Sequence, residues 1–302
     1  MKKLVIFGVL LSLFSCKKEA KITSLDTAKK DSTAAKPEKV MAPELHKELY
    51  GIWTGSFYPD IMRNPDDESG ETKKISIKID RITADTVWAQ SIVSGNQRPL
   101  IGKVSGDGSK VSFILDEPGN KKDDGRFEMM TRNDSLIGKW TAYNPSGVKS
   151  PYKKLDLAQK QFVYNPNFML SKDAEYVDWA TPKEKKEVYK DDDGKTQTYT
   201  QQVYRSASDE IYKINSSTQK LTEAKLKNLR KLDLEILRNT IFARHGYSFK
   251  KPTYRNFFEY TDWYVPVSNN VDKDLSPLEK ENASLLSRME KYAKDSYDSY
   301  GR

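Results

Sequence analysis

From residue 49 to about 143 the apolar positions alternate with polar ones. The runs "LYGIWTGSFY" (49–58), "KKISIKI" (73–79), "DTVWAQSIV" (85–93), "LIGKVSG" (100–106), "SKVSFIL" (109–115), "GRFEMMT" (125–131) and "DSLIGKW" (134–140) are separated by Asp, Asn and Gly turn chemistry. Period-two runs at this spacing predict short antiparallel strands, each with one face toward a core. Seven or eight such strands are enough to close a small up-and-down barrel. Near residue 216 the period changes to 3.6. "TEAKLKNLRK" (222–231) carries Leu226 and Leu229 on one side, and "DLEILRNTIFARH" (233–245) carries Leu234, Leu237 and Ile241. Asp233 is expected as the N-cap of the second helix and Gly246 as the left-handed residue that stops it. "SPLE" (276–279) reads as a capping box with Pro277 at the first helical position, opening a helix along Leu278, Leu285, Met289 and Tyr292. The fold class is therefore α+β: an antiparallel β-meander or small barrel, then a small helical domain able to fold alone.

Residues 17–45 show neither period. Rich in Lys, Ala, Ser, Thr and Pro, they cannot bury enough apolar surface to fold. They are expected to form a tether, ~30 Å across as a coil and ~100 Å fully stretched. Before them, Lys2 and Lys3 precede an apolar run from Leu4 to Phe14 that is too short to span a bilayer. The run ends in "LFSC", and Cys16 is the sole cysteine. This resembles a bacterial lipoprotein signal. The resemblance implies cleavage before Cys16, lipidation of Cys16, and anchoring by default in the outer membrane, facing the periplasm or the surface. The expected organisation is signal peptide 1–15, lipidated tether 16–45, β domain 46–180, hairpin connector 181–215 and helical domain 216–302.

Charge sharpens this only a little. The net charge of +8 divides into +4 over residues 1–45, zero over 46–215 and +4 over 216–302. A basic terminal region on an exported chain suits anionic envelope partners such as lipopolysaccharide, peptidoglycan or lipid headgroups, or another envelope protein, and not nucleic acid. An ordinary mixed-charge surface has the same composition. With two His and one Cys, a His-rich metal site is impossible, and no cofactor motif occurs. "KDDDGK" (190–195) lacks the first and last ligands of a calcium loop, Tyr189 and Thr200 standing there, and reads as a hairpin turn. "SPYK" and "STQK" match Ser-x-x-Lys spacing without the partners an acyl enzyme needs.

Two short signatures carry family resemblance. "GIWTG" at 51–55 is similar to the first-strand Gly-x-Trp of lipocalin-like proteins, where Trp packs across the closed barrel end. Trp53 and Trp140 read equally as core residues of Gly-bent strands, and the pattern does not separate a filled interior from a ligand cavity. In the C-terminal part, "LTEAKLKNL", "LEILRNTIFARHGYSF", "YRNFF", "DWYVP" and "LSPLEKENASLL" resemble, in order, the YARHG domain, a bacterial extracytoplasmic module. The naming motif stands as Phe242-Ala243-Arg244-His245-Gly246, with Phe in place of Tyr. The resemblance implies an exported envelope protein and a small helical fold; it implies no biochemical activity.

Arg238, Arg244 and His245 crowd the end of that helix. Arg244 and His245 in the last turn answer the helix dipole and its free carbonyls. Arg238, Arg244 and His245 together would also suit a carboxylate or phosphate, and His245 a general base. The expected function is non-enzymatic binding or organising of an anionic envelope component. The alternatives are a barrel that binds a small ligand and, third, a cell-wall hydrolase.

Overall fold

Eight strands follow one another around a closed barrel: β1 (Gly51–Pro59), β2 (Lys73–Ile82), β3 (Val87–Val93), β4 (Asn96–Asp107), β5 (Lys110–Asp116), β6 (Gly125–Arg132), β7 (Ser135–Ala142) and β8 (Tyr152–Lys160). Each pairs antiparallel with its chain neighbour, and β8 returns to β1. The computed structural model describes residues 42–294 except 68–69, 109 and 173–175. The expected signal peptide and Cys16 lie outside the described residues.

Alternation decides the barrel. Trp53 and Phe57, Ile75, Ile77 and Ile79, Val111, Phe113 and Leu115, Phe127 and Met129, and Leu155 and Leu157 all point inward and are buried. Closure pairs both edges of each barrel strand, so the barrel leaves no ladder open to solvent. β4 and β5 approach so closely that a Cβ on Gly102 would lie 1.8 Å from the Ile114 carbonyl oxygen, and only glycine fits there. One end is plugged by a 3₁₀ turn, Lys47–Leu49, whose buried Leu49 joins the core. The Trp53 indole N–H donates to the Leu49 carbonyl at 2.9 Å. Residues 42–45, assigned by sequence to the tether, are held to β2: the Leu45 N–H donates to the Ile82 carbonyl at 3.0 Å, and Arg81 donates to the Ala42 carbonyl.

The helical part comprises α1 (Glu223–Leu226), α2 (Lys231–Arg244), α3 (Pro252–Glu259) and α4 (Pro277–Glu290). α1 is a single turn because the chain must bend again before α2. α2 starts three residues earlier than its Asp233 cap implied. Asp233 instead sits at the third helical position and accepts the Arg230 N–H at 2.9 Å and the Ser208 N–H at 2.7 Å. α2 is buried nearly all round: Leu232, Leu234, Ile236, Leu237 and Ile241 are inside, and so are the polar Asp233, Asn239, Thr240 and Arg244. The aromatic segment after Gly246 forms α3, started by Pro252, and stacks Phe258 on Phe249 at 4.8 Å. α4 stops at Glu290, so Tyr292 is exposed and not part of its seam.

β8 ends at Lys160, and the strap 161–182 then runs across the helical part. It contributes Leu170 and Val177 to that core. The Pro166 carbonyl accepts from Asn215, and the Met169 carbonyl accepts from the Trp263 indole. The helical core is therefore incomplete without a segment assigned by sequence to the β domain. The strap leads into an isolated hairpin, β9 (Lys183–Lys190) and β10 (Thr196–Val203), exposed on both faces. Its turn is built as expected for a polar hairpin, with Asp191 accepting the Asp193 and Lys195 N–H groups.

Barrel and helices belong to one compact unit beginning at Ala42. Thr54, Ser76 and Ile92 form a row on the outer wall of β1, β2 and β3, yet all three are buried. The turn Ser94-Gly95 has positive φ at both residues, suiting a tight hairpin, and the Gly95 N–H donates to the Ser248 hydroxyl at 3.0 Å. Lys74 donates to the Tyr264 carbonyl at 3.2 Å, and Arg255 grips both carboxylate oxygens of Glu71 at 2.8 and 2.7 Å.

Candidate functional site

The end of α2 is where Arg238, Arg244 and His245 were expected to converge. Gly246 has φ of 71°, and its carbonyl accepts the Val267 and Ser268 N–H groups. A Cβ there would meet Val267 at 2.5 Å and the Val265 carbonyl oxygen at 2.8 Å, so both conformation and space demand glycine. The three side chains go separate ways. Arg238 forms a two-pronged pair with Glu290 of α4. Arg244 turns into the interior, only 2% exposed. Its guanidinium donates to the Phe168 carbonyl of the strap at 2.8 Å and to the Ser217 hydroxyl at 2.9 Å. His245 Nε2 lies 2.9 Å from Glu279, and its ring stacks on Tyr164 at 4.2 Å.

Glu279 is the hub of this network. It is the third helical residue of α4 and completes the capping box: it accepts the Ser276 N–H at 2.9 Å while its own N–H donates to Ser276. The Tyr164 hydroxyl donates to its other oxygen at 3.0 Å. Burial works to raise the Glu279 pKa, but hydrogen bonds from His245, Ser276 and Ser217 outweigh it and hold the carboxyl at about 2. Burial also draws the Arg244 guanidinium down to about 10, with Glu279 and Tyr164 opposing that drop. The arrangement is a buried chain, Arg244–Ser217–Glu279–His245, closed on every side by protein groups. Its chemistry is that of a fastening between α2, α4 and the strap.

Residues 209–291 match the YARHG domain. No curated protein and no solved structure matches the chain. In the YARHG domain of this chain the naming motif thus supplies the helix end, the buried guanidinium and the histidine of one internal network. Phe242 stands where the motif has Tyr and contacts Tyr247 at 6.0 Å between ring centres.

A second constellation, which the motifs did not reveal, lies at the barrel end opposite the Trp53 plug. There the interior opens into a cavity of about 360 Å³ lined by none of the YARHG motif residues. That volume is at the low end of small-molecule sites, which run from ~300 to ~1,000 Å³. Phe57, Phe127 and Trp140 form its aromatic floor, with Phe57 edge-on to Trp140 at 6.1 Å. Glu117 fixes Trp140 by accepting the indole N–H at 3.1 Å, and also accepts the Gly125 N–H at 2.7 Å. Burial pushes the Glu117 carboxyl up. Arg98 pairs with Asp124 at 3.3 Å, and Lys73 lies 3.9 Å from Glu71. Lys153 is 9% exposed, and its ammonium stands 5.2 Å from the centre of the Phe57 ring. Burial first, and then the charge of Lys73, lower its pKa to about 8.

Strand parity carried the signal. Lys73 shares its face with Ile75, Ile77 and Ile79, and Lys153 shares its face with Leu155 and Leu157. A lysine at an inward position of a barrel strand is out of place unless something polar meets it. A broader concavity of about 710 Å³ lies on the outer wall around Ile114, Met130 and Ile137. It is an open groove, and its Lys139 and Lys154 are already paired with Glu128 and Asp60, both at 3.0 Å. Among the described residues no three His, Cys, Asp or Glu side chains gather as a metal site would require, and no helix is long and apolar enough to cross a membrane.

Proposed function

We propose that this chain is an envelope-anchored binding protein whose ligand site is the open mouth of the barrel, held in shape by the YARHG domain. The observation that carries this is the mouth cavity itself: an aromatic floor, a fixed tryptophan and a buried lysine at the one end of the barrel that its core leaves unfilled. The YARHG domain supports it by pairing Arg255 with Glu71 on the cavity rim. Binding through Arg238, Arg244 and His245 is less well supported, because each of the three already has a protein partner. The His245–Glu279 pair is sealed by Tyr164, which argues for a fastening over a hydrolytic centre.

The purified full chain is expected to bind the neutral fluorophore N-phenyl-1-naphthylamine saturably at one site. Val93→Trp, which fills the cavity from its wall, is expected to abolish the signal. A titration that does not saturate, or that Val93→Trp leaves unchanged, would sink the barrel-mouth reading. Anchoring rests on the N-terminal pattern ending in Cys16. Cys16→Ser is expected to leave the protein soluble or as an uncleaved precursor after fractionation. A processed, membrane-bound Cys16→Ser protein would refute the anchor.

A further inference from the structure

We infer that the barrel mouth takes a molecule bearing one carboxylate on a compact apolar or aromatic body, with Lys153 as the cation that meets the carboxylate. The inference rests on the barrel-mouth reading and adds the chemical class of the ligand. It follows from an accounting of charge around the cavity. Each buried or half-buried acid there already has a partner: Glu71 has Arg255, Asp67 has the Ser150 hydroxyl, and Glu117 has Trp140, Ser91 and the Gly125 N–H. Arg98 stands within ion-pair distance of Asp124 and Asp123, at 3.3 and 3.7 Å, and Lys73 within 3.9 Å of Glu71. Lys149 sits exposed at the rim. Lys153 alone among the described lining cations is both buried and without a carboxylate of the described residues within ion-pair distance. The face of Phe57 meets it directly, and Asp67 and Glu71 act on it only from beyond ion-pair distance.

A partly desolvated ammonium beside an aromatic wall is a costly arrangement that an incoming carboxylate relieves, because it supplies a counter-charge close by. One unpaired buried cation fits one negative charge. A phosphate dianion would call for a second. Phe57, Phe127 and Trp140 stand ready to cover the apolar body.

The groups facing Lys153 fix the expected pH dependence. They are Lys73 on β2 and Asp67 and Glu71 from the segment before it, with Arg98, Glu117 and Asp123 across the cavity. In the free protein Lys153 loses its proton near pH 8. Binding of a carboxylate requires the charged form, so affinity is expected to be full at pH 7 and to drop about tenfold by pH 9. Removing the repulsive charge of Lys73 raises the Lys153 pKa, so in Lys73→Met this step moves to higher pH.

The test compares 2-naphthoate with its methyl ester on the full chain by calorimetry. At pH 7 the acid is expected to bind at least tenfold more tightly than the ester. Lys153→Met is expected to erase that preference and the pH step together while still binding the ester. Lys149→Met is expected to keep both. Lys153→Gln serves as a second variant should the methionine disturb folding. Equal affinity for acid and ester in the wild type, or a preference that survives both Lys153 variants, would overturn the carboxylate assignment and leave the barrel-mouth reading standing. Binding of neither compound by the wild type would bring down both.

Discussion

Glu279→Ala is expected to cost about 3–5 kcal/mol of folding stability, the range for stripping one partner from a buried charged network. The side chain is 0% exposed, so no water replaces what it accepts. Its loss frees the Ser276 N–H and the Tyr164 hydroxyl, and leaves the His245 ring nitrogen without its acceptor. It also removes the anion that sustains the charge on buried Arg244. Glu279→Gln keeps the shape and one acceptor, and should cost roughly half as much. Acid offers a check on the wild type. The folded-state pKa of about 2 lies below the ordinary 4.5, so this stabilisation is present above pH 4.5 and is lost as pH falls toward 2. The displacement corresponds to about 3 kcal/mol. Urea unfolding at pH 7 and pH 3 should show a stability difference that shrinks in Glu279→Gln. Equal stability of Glu279→Ala and wild type at pH 7 would mean the network is ornamental.

Arg244→Met comes next, at about 3 kcal/mol. Methionine retains much of the apolar stem but leaves the Phe168 carbonyl and the Ser217 hydroxyl without their donor. Lysine should rescue little, since one ammonium does not reproduce a planar fork reaching two acceptors. The effect should concentrate in the strap. Trypsin is expected to cut at Lys172, an exposed residue of the strap, faster in Arg244→Met than in wild type, and before the barrel unfolds. An unchanged cleavage rate with normal melting would free Arg244 from its structural assignment.

The barrel was legible because its alternation is nearly unbroken and each turn carries its own chemistry. The missed eighth strand, "YKKLDLAQK", shows the limit: three lysines masked Leu155 and Leu157. The same masking hid the cavity, since Lys153 reads as surface until parity places it inside. The YARHG segment was legible in order and extent, and Gly246 behaved as its position required. The destinations of Arg238, Arg244 and His245 were not. Helical spacing tells which residues share a face, but Glu290, Phe168 and Glu279 reach them from 52, 76 and 34 positions away along the chain. Long-range partners of that kind leave no local trace.

The strap has a consequence for portability. The stretch that matches the YARHG domain, 209–291, does not contain the whole of its own core. Leu170 and Val177, the acceptor for Arg244 and the ring that stacks on His245 all arrive from before it. Grafted into a foreign host at its sequence boundaries, the module would carry a guanidinium that has lost one of its acceptors, and an open seam, into water. A cut at residue 161 would carry its missing wall along with it, so the natural seam for engineering falls at the end of the barrel.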